Sequence, residues 1–268
     1  GTVTGTLAIN DPERLQDQLA DLAERSVAEA VANGATAAES GASSSGGLSV
    51  TVRMGEVETV EHIRDKALGL TVYVGHKKGS ASTSDFSPQA VSETVRAACS
   101  IARLTGDDEH HGLAPAERMA TVFPDLDLRH PWHIKPADAI ALALEAETSA
   151  RETHTLITNS DGATVGTHET VHAYANSHGF VGRKLGTRHS LSCTVIAENE
   201  SGMQRDYWYD TNRDATAMMD AAKLGQRAAE RAVSRLSPRR VDTGTFPVLF
   251  AAEVAGSLFG HFIGAIRG

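Results

Sequence analysis

Apolar residues along this chain recur with two periods. Asp11-Pro12 opens a helical stretch: Asp accepts at the N-cap, and Pro takes a position whose N–H has no partner in any helix. Leu15, Leu19 and Leu22 then fall on one face, and Asn33-Gly34 ends the stretch. Gly41 to Gly47, built of Gly, Ala and Ser, reads as a loop. From Leu48 the period is two. Leu48, Val50 and Val52 alternate with polar residues, Met54-Gly55-Glu56 makes a turn, and Val57 to Ile63 is the return strand. Leu68 to Val74 is a further strand and Gly75 to Gly79 a further turn. Ser87-Pro88 starts a second helix, with Val91, Val95, Ala98 and Ala102 in one stripe, ending at Gly106.

The pattern then repeats in outline. Asp107 to Pro136 carries Pro115, Pro124, Pro131 and Pro136 and reads as an irregular connector. A helix over about Ala137 to Glu152 turns Ile140 and Leu144 inward. β-like segments follow from Leu156 to Tyr209, divided at Asp161-Gly162, His178-Gly179 and Ser201-Gly202. A long helix over Ala215 to Leu236 puts Met218, Ala222, Ala229, Val233 and Leu236 on one face. The expected fold is α+β, antiparallel β-meanders flanked by helices in two subdomains. Residues 1–106 form an N-terminal α/β-meander domain, 107–136 the connector, 137–240 a middle β-rich domain with a long helix, and 241–268 the start of a further domain.

Composition narrows the function. The formal net charge of −9 argues against a broad nucleic-acid or anionic-membrane surface. The two cysteines, Cys99 and Cys193, make no metal or redox motif; they read as small core residues in a reducing cytoplasm. Gly1 to Thr4 show no basic segment leading into an apolar run, so no signal peptide is expected. Val248 to Ile266 is strongly apolar but carries Glu253, His261 and three glycines. An acid at mid-bilayer costs roughly 2.5–3.5 kcal/mol, so a buried strand followed by a helix is expected there, not a membrane span.

The segment richest in candidate chemistry is His168-Glu169-Thr170-Val171-His172, followed by His178. As text it is the H-E-x-x-H zinc-protease motif with a third histidine. On a helix, residues four apart lie about 6 Å apart along one face, where two imidazoles reach one zinc and Glu169 serves as base. On a strand, the same step spans about 13 Å and Glu169 points to the opposite face. The local pattern favours the strand: Val165, Thr167, Glu169, Val171, Ala173 and Ala175 alternate with Thr164, His168, Thr170, His172 and Tyr174. Two weaker signals read blandly. Gly75-His76-Lys77-Lys78-Gly79-Ser80 lacks phosphate-loop spacing, and His110-His111 sits in a solvated acidic loop.

Several segments together carry a resemblance. Glu61 to Gly75, then Lys78 to Asp85, resembles the first domain of the TldD/PmbA family. Asn176-Ser177-His178-Gly179-Phe180 is similar to a turn of its middle domain, and Met203 to Tyr209 is similar to the PmbA (TldE) branch. The resemblance runs in order over nearly the whole chain. It implies that the metal motif of the TldD branch, H-E-x-x-x-H, falls at Gly256-Ser257-Leu258-Phe259-Gly260-His261. Gly256 then replaces the first histidine, Ser257 the glutamate, and only His261 remains. It also gives Asn176, His178 and Gly179 a structural role in a turn, and it implies that the chain is a fragment lacking most of a C-terminal domain.

The resulting expectation is a non-catalytic PmbA/TldE-type subunit, binding no metal itself. It would complete a metalloprotease with a TldD-type subunit that holds a zinc-type metal and degrades unfolded or extended peptides. In isolation a homodimer is possible, with no nucleic-acid or membrane partner. The alternatives are a metzincin-like zinc protease using His168, Glu169, His172 and His178, and a non-enzymatic interaction module. The family's older description as a modulator of DNA gyrase finds no support in charge or motif.

Overall fold

Helix α1 (Pro12–Ala32) begins where Asp11 accepts a hydrogen bond from the Arg14 amide at 3.0 Å. Its apolar face leads into β1 (Ala37–Arg53), β2 (Glu56–Val74) and β3 (Lys77–Thr83), then α2 (Pro88–Leu104). After the connector come α3 (Pro136–Thr153), β4 (Ile157–Asn176), β5 (Val181–Asn199), β6 (Gly202–Asn212) and α4 (Ala221–Ser234). The structure, a computed structural model, describes residues 11–266. The N-terminal stretch expected to lack a signal peptide lies outside them.

All six strands join one antiparallel sheet in the order β3-β2-β1-β4-β5-β6. The two predicted meanders meet where β1 pairs with β4. Four helices cover one face. Leu19, Val27, Leu68, Leu70, Val95, Val171 and Ala173 belong to an apolar cluster beneath α1 and α2. Leu48, Val50, Val165, Leu191, Ala143 and Leu224 belong to a second cluster beneath α3 and α4. Within β4, Ala163, Val165, Val171, Ala173 and Ala175 are all buried and alternate with half-buried neighbours, so both clusters lie on the same side.

Small residues set the spacing of the second layer. A Cβ on Gly225 of α4 would stand 2.0 Å from the Ala146 carbonyl oxygen of α3. Ala139, Ala143, Ala146 and Ala150 of α3, not the predicted Ile140 and Leu144, form the fully buried stripe. Ile140 and Leu144 pack at its margin. The buried Glu147 carboxylate reaches past this layer to the β1–β2 turn. It accepts the amides of Met54 and Gly55 at 2.7 and 2.8 Å. Both turn residues have positive φ, 53° and 82°, as a two-residue hairpin requires.

Five further sequence expectations are corrected. Gly41–Gly47 is not a loop but the middle of β1, a strand with a partner on each side. Val57–Ile63 and Leu68–Val74 are one strand, because β1 offers a continuous ladder to both. Asp161-Gly162 is an irregularity inside β4, with Gly162 at φ 103°, rather than a turn before it. The last helix of this unit starts at Ala221, where Asp220 caps it, and a short 3-10 turn (Ala215–Ala217) precedes it. In a second unit, Ser237–Gly268, α5 (Ala252–Ile266) forms but the strand expected at its start does not. A strand needs a neighbour to take its backbone hydrogen bonds, and among the described residues of that unit no strand stands beside residues 248–250. No described helix is long and apolar enough to cross a membrane.

Candidate functional site: the open face of the sheet

The histidine motif lies on β4, a strand, so its residues divide between the two faces. Glu169 turns toward the helices, between the two apolar clusters, and accepts a hydrogen bond from Arg129 Nε at 2.6 Å. His168 and His172 turn the other way, about 13 Å apart along the strand. His178 sits in the β4–β5 turn, where its amide donates to Asn176 Oδ1 at 3.1 Å and Gly179 takes φ 80°. The metzincin reading required a helix here; on a strand these four residues do not share a centre. Among the described residues, no three His, Cys, Asp or Glu side chains gather as a metal site.

Glu169 has a structural use. Between the clusters runs a row of buried polar groups, Glu169, Thr187 and His189. The connector fastens to each of them. Arg129 pairs with Glu169, the Thr187 amide donates to the Leu128 carbonyl at 2.9 Å, and His189 Nε2 donates to the His130 carbonyl at 2.8 Å. His189 Nδ1 then accepts from the Thr167 hydroxyl at 2.9 Å. Earlier in the connector, His178 Nε2 donates to the Ala114 carbonyl at 3.1 Å and Phe123 packs on Phe180.

The face opposite the helices is built of short polar side chains. From β1 it takes Gly41, Ser43, Ser45, Gly47, Ser49 and Thr51; opposite them on β4 stand Tyr174, His172, Thr170, His168, Gly166 and Thr164. The missing side chains make room for the imidazoles. A Cβ on Gly41 would lie 3.3 Å from His172 Nε2, and one on Gly47 would lie 2.3 Å from the Thr167 carbonyl oxygen and 3.2 Å from His168 Nδ1. The Gly/Ser run that reads as a loop is a central strand, paired on both sides, with β4 close against its glycines. Cross-strand hydroxyls pair as well, Thr51 with Thr164 at 3.0 Å.

At one end of this face Glu39 accepts hydrogen bonds from two phenols, Tyr73 at 2.9 Å and Tyr174 at 2.8 Å. Burial, with the Glu39 carboxylate beside them, pushes both phenols up, so both stay neutral donors. Asn176 Nδ2 donates to the Tyr174 oxygen at 3.3 Å, which ties this cluster to the β4–β5 turn. Sequence reasoning missed Glu39. Only the alternation of Glu39 with Ala38 and Ser40 hinted that it shares a face with Tyr174.

Burial, and then the Lys184 ammonium across from it, hold the His172 imidazole below the ordinary histidine value. The unfolded chain therefore binds this proton more readily than the folded one. The stability tied to neutral His172 is whole above about pH 6.5 and is lost as pH falls from there toward the folded value. His172→Gln is expected to flatten the pH dependence of the urea midpoint between roughly pH 5 and pH 7. Parallel curves for the two proteins would remove His172 as its source.

The thiols carry no chemistry here. Both cysteines are free and buried, and burial pushes Cys193 up to about 12. An open cavity of about 410 Å³ lies between connector residues 124–129 and β5 residues 183–185. Its arginines are already engaged, Arg129 by Glu169 and Arg183 by Asp17 at 3.3 Å.

On α5 the residues do not fit a catalytic zinc. Gly256 offers no ligand, and the Ser257 hydroxyl donates to the Val254 carbonyl at 2.7 Å. His261 is a single imidazole where a catalytic site needs three protein ligands.

The chain is thus an α+β protein with one long antiparallel sheet, helices on one face and a polar opposite face. Residues 38–102 match the family model for PmbA/TldA metallopeptidase domain 1, and residues 129–236 match the model for the PmbA/TldA metallopeptidase central domain. The chain belongs to the PmbA/TldD family. It is 47% identical over 231 residues to the metalloprotease PmbA of Escherichia coli O157:H7, covering 86% of this chain and 51% of that protein. It is 42% identical over 222 residues to the PmbA homolog of Haemophilus influenzae, covering 83% of this chain and 49% of that protein. The chain thus spans about half the length of the curated relatives it matches.

Solved structures agree on the fold. A Bacteroides thetaiotaomicron protein described as a candidate modulator of DNA gyrase superimposes with a TM-score of 0.78 at 25% identity, covering 85% of this chain and 52% of that one. TldE from Thermococcus kodakarensis superimposes with a TM-score of 0.64 at 17% identity, covering 78% and 47%.

Proposed function

We propose that this chain is the non-catalytic, PmbA/TldE-type part of a peptide-degrading complex. A TldD-type subunit would hold the zinc-type metal, and the open sheet face described above would help to line the space where an extended peptide lies. One observation carries the reading. Where the resemblance aligns the metal motif of the TldD branch, the chain has Gly256 and Ser257 in place of a histidine and a glutamate, with His261 the one imidazole on α5. Gly256 and Ser257 supply neither a zinc ligand nor a general base at those two positions. The half-buried hydroxyl-rich face supports the second part. It offers many donors and acceptors without bulky side chains, which suits an extended backbone of variable sequence. The free thiols support a reducing, cytoplasmic setting.

The test is a peptidase assay on an unstructured peptide, using the full chain alone, a TldD-type subunit alone, and the two mixed. Cleavage by the mixture, absent from this chain alone and abolished by a chelator, is expected. Chelator-sensitive cleavage by this chain alone would overturn the proposal. Cleavage by the TldD-type subunit that is unchanged when this chain is added would favour a plain interaction module.

A further inference from the structure

The open face is polarised across its width. On β5, Lys184 and Arg188 project from it, directly opposite His172 and His168 of β4. On β2, Glu61 and Asp65 stand opposite Ser49 and Ser45 of β1. Between these rims lie the short side chains of β1, which make the floor. Arg183, one residue before Lys184, faces the helices and is paired with Asp17. Lys184 and Arg188 have no ion-pair or hydrogen-bond partner among the described residues. In a chain of net charge −9, two unpaired cations with an imidazole beside each, on one face, run against the overall charge.

We infer that this face selects extended peptides by charge, taking acidic side chains on the β5 rim at Lys184 and Arg188. The inference rests on the peptide-lining role proposed above and adds the substrate class. Lys184 and Arg188 are four residues apart on a strand, about 13 Å. Carboxylates four residues apart on an extended peptide match that spacing. Each exposed pair is worth little, but two of them acting together correspond to about a tenfold preference at low salt.

The test uses the full chain and three labelled, unstructured peptides of equal length. They differ only at two positions four apart, which carry Glu, Gln or Lys, and binding is read by fluorescence anisotropy. The expected order is Glu tightest, then Gln, then Lys, with the gap closing as salt is raised. The double variant Lys184→Glu/Arg188→Glu is expected to invert the order; both positions are exposed, and an unchanged thermal midpoint confirms its fold. Equal affinity for the Glu and Gln peptides, or an unchanged order in the variant, overturns charge selection while leaving the peptide-lining role standing. Failure of all three peptides to bind overturns both.

Discussion

Replacing Gly225 by alanine is expected to destabilise the protein by about 2–4 kcal/mol, although alanine is the better helix former by about 1 kcal/mol. The reason is steric. The new Cβ would stand 2.0 Å from the Ala146 carbonyl oxygen and 3.0 Å from the Ala150 amide nitrogen, and both are backbone atoms of a packed helix. Neither can swing aside as a side-chain tip does, so α4 must move off α3. That movement loosens the packing of Leu224, Ala228 and Ala232 over Leu191 and Val195. For a chain of this size the loss corresponds to roughly 5–15 °C in thermal midpoint. Gly69→Ala in β2, where nothing lies within 4 Å of the added carbon, is the control, expected within about 0.5 kcal/mol of the parent. Thermal scans of the three proteins decide it. A Gly225→Ala protein as stable as the parent would mean that α3 and α4 do not touch here.

The second large effect is expected at Glu147. Its carboxylate is 1% exposed and accepts two turn amides, at 2.7 and 2.8 Å. Glu147→Ala removes both bonds and leaves a gap beneath the turn, a loss of about 3 kcal/mol. Glu147→Gln keeps the shape and one acceptor, but its amide nitrogen faces an N–H. It is expected to cost roughly half as much. Denaturant titration of the two variants separates packing from hydrogen bonding. Equal losses would show that shape, rather than the paired acceptors, holds the β1–β2 turn. The effect is also local in origin and wide in reach. The turn joins β2 to the central strand β1, and β1 carries the floor of the open face.

Much of this fold was legible because local rules and tertiary packing agree. The Asp11-Pro12 and Ser87-Pro88 starts are visible as text, and the structure keeps both caps. Where the two disagree, the sequence misleads for a physical reason. Gly41 to Gly47 has the composition of a flexible loop, since glycine and serine have poor strand preference. It is a strand because its neighbours on both sides supply the hydrogen bonds, and its glycines let the β4 backbone and imidazoles approach closely. Asp161-Gly162 has the composition of a turn, yet strand β5 continues to pair on both sides of it.

The candidate site shows the same division. The H-E-x-x-H text at residues 168–172 was a real motif in the wrong conformation, and period-two alternation already pointed to the strand. The proposal for α5 rests on three residue identities read from the sequence, Gly256, Ser257 and His261. Glu39 was not legible, because its meaning depends on Tyr73 and Tyr174 arriving from strands far along the chain. Nor were Lys184 and Arg188, whose shared face is set by pairing with β4.

The sequence alone determined the core faces of α1, α2 and the strands, where burial follows the period of apolar positions, and it determined the family, since several motifs occur in one order. It also fixed the residue identities at 256, 257 and 261, because folding cannot add a ligand where glycine stands. The tertiary structure decided that two meanders make one sheet, that Glu169 serves an ion pair with Arg129 rather than a metal, and that scattered polar residues share one open face. Those outcomes depend on register between strands distant in sequence. A slip of one residue would move every such side chain to the other face, and no local pattern sets that register alone.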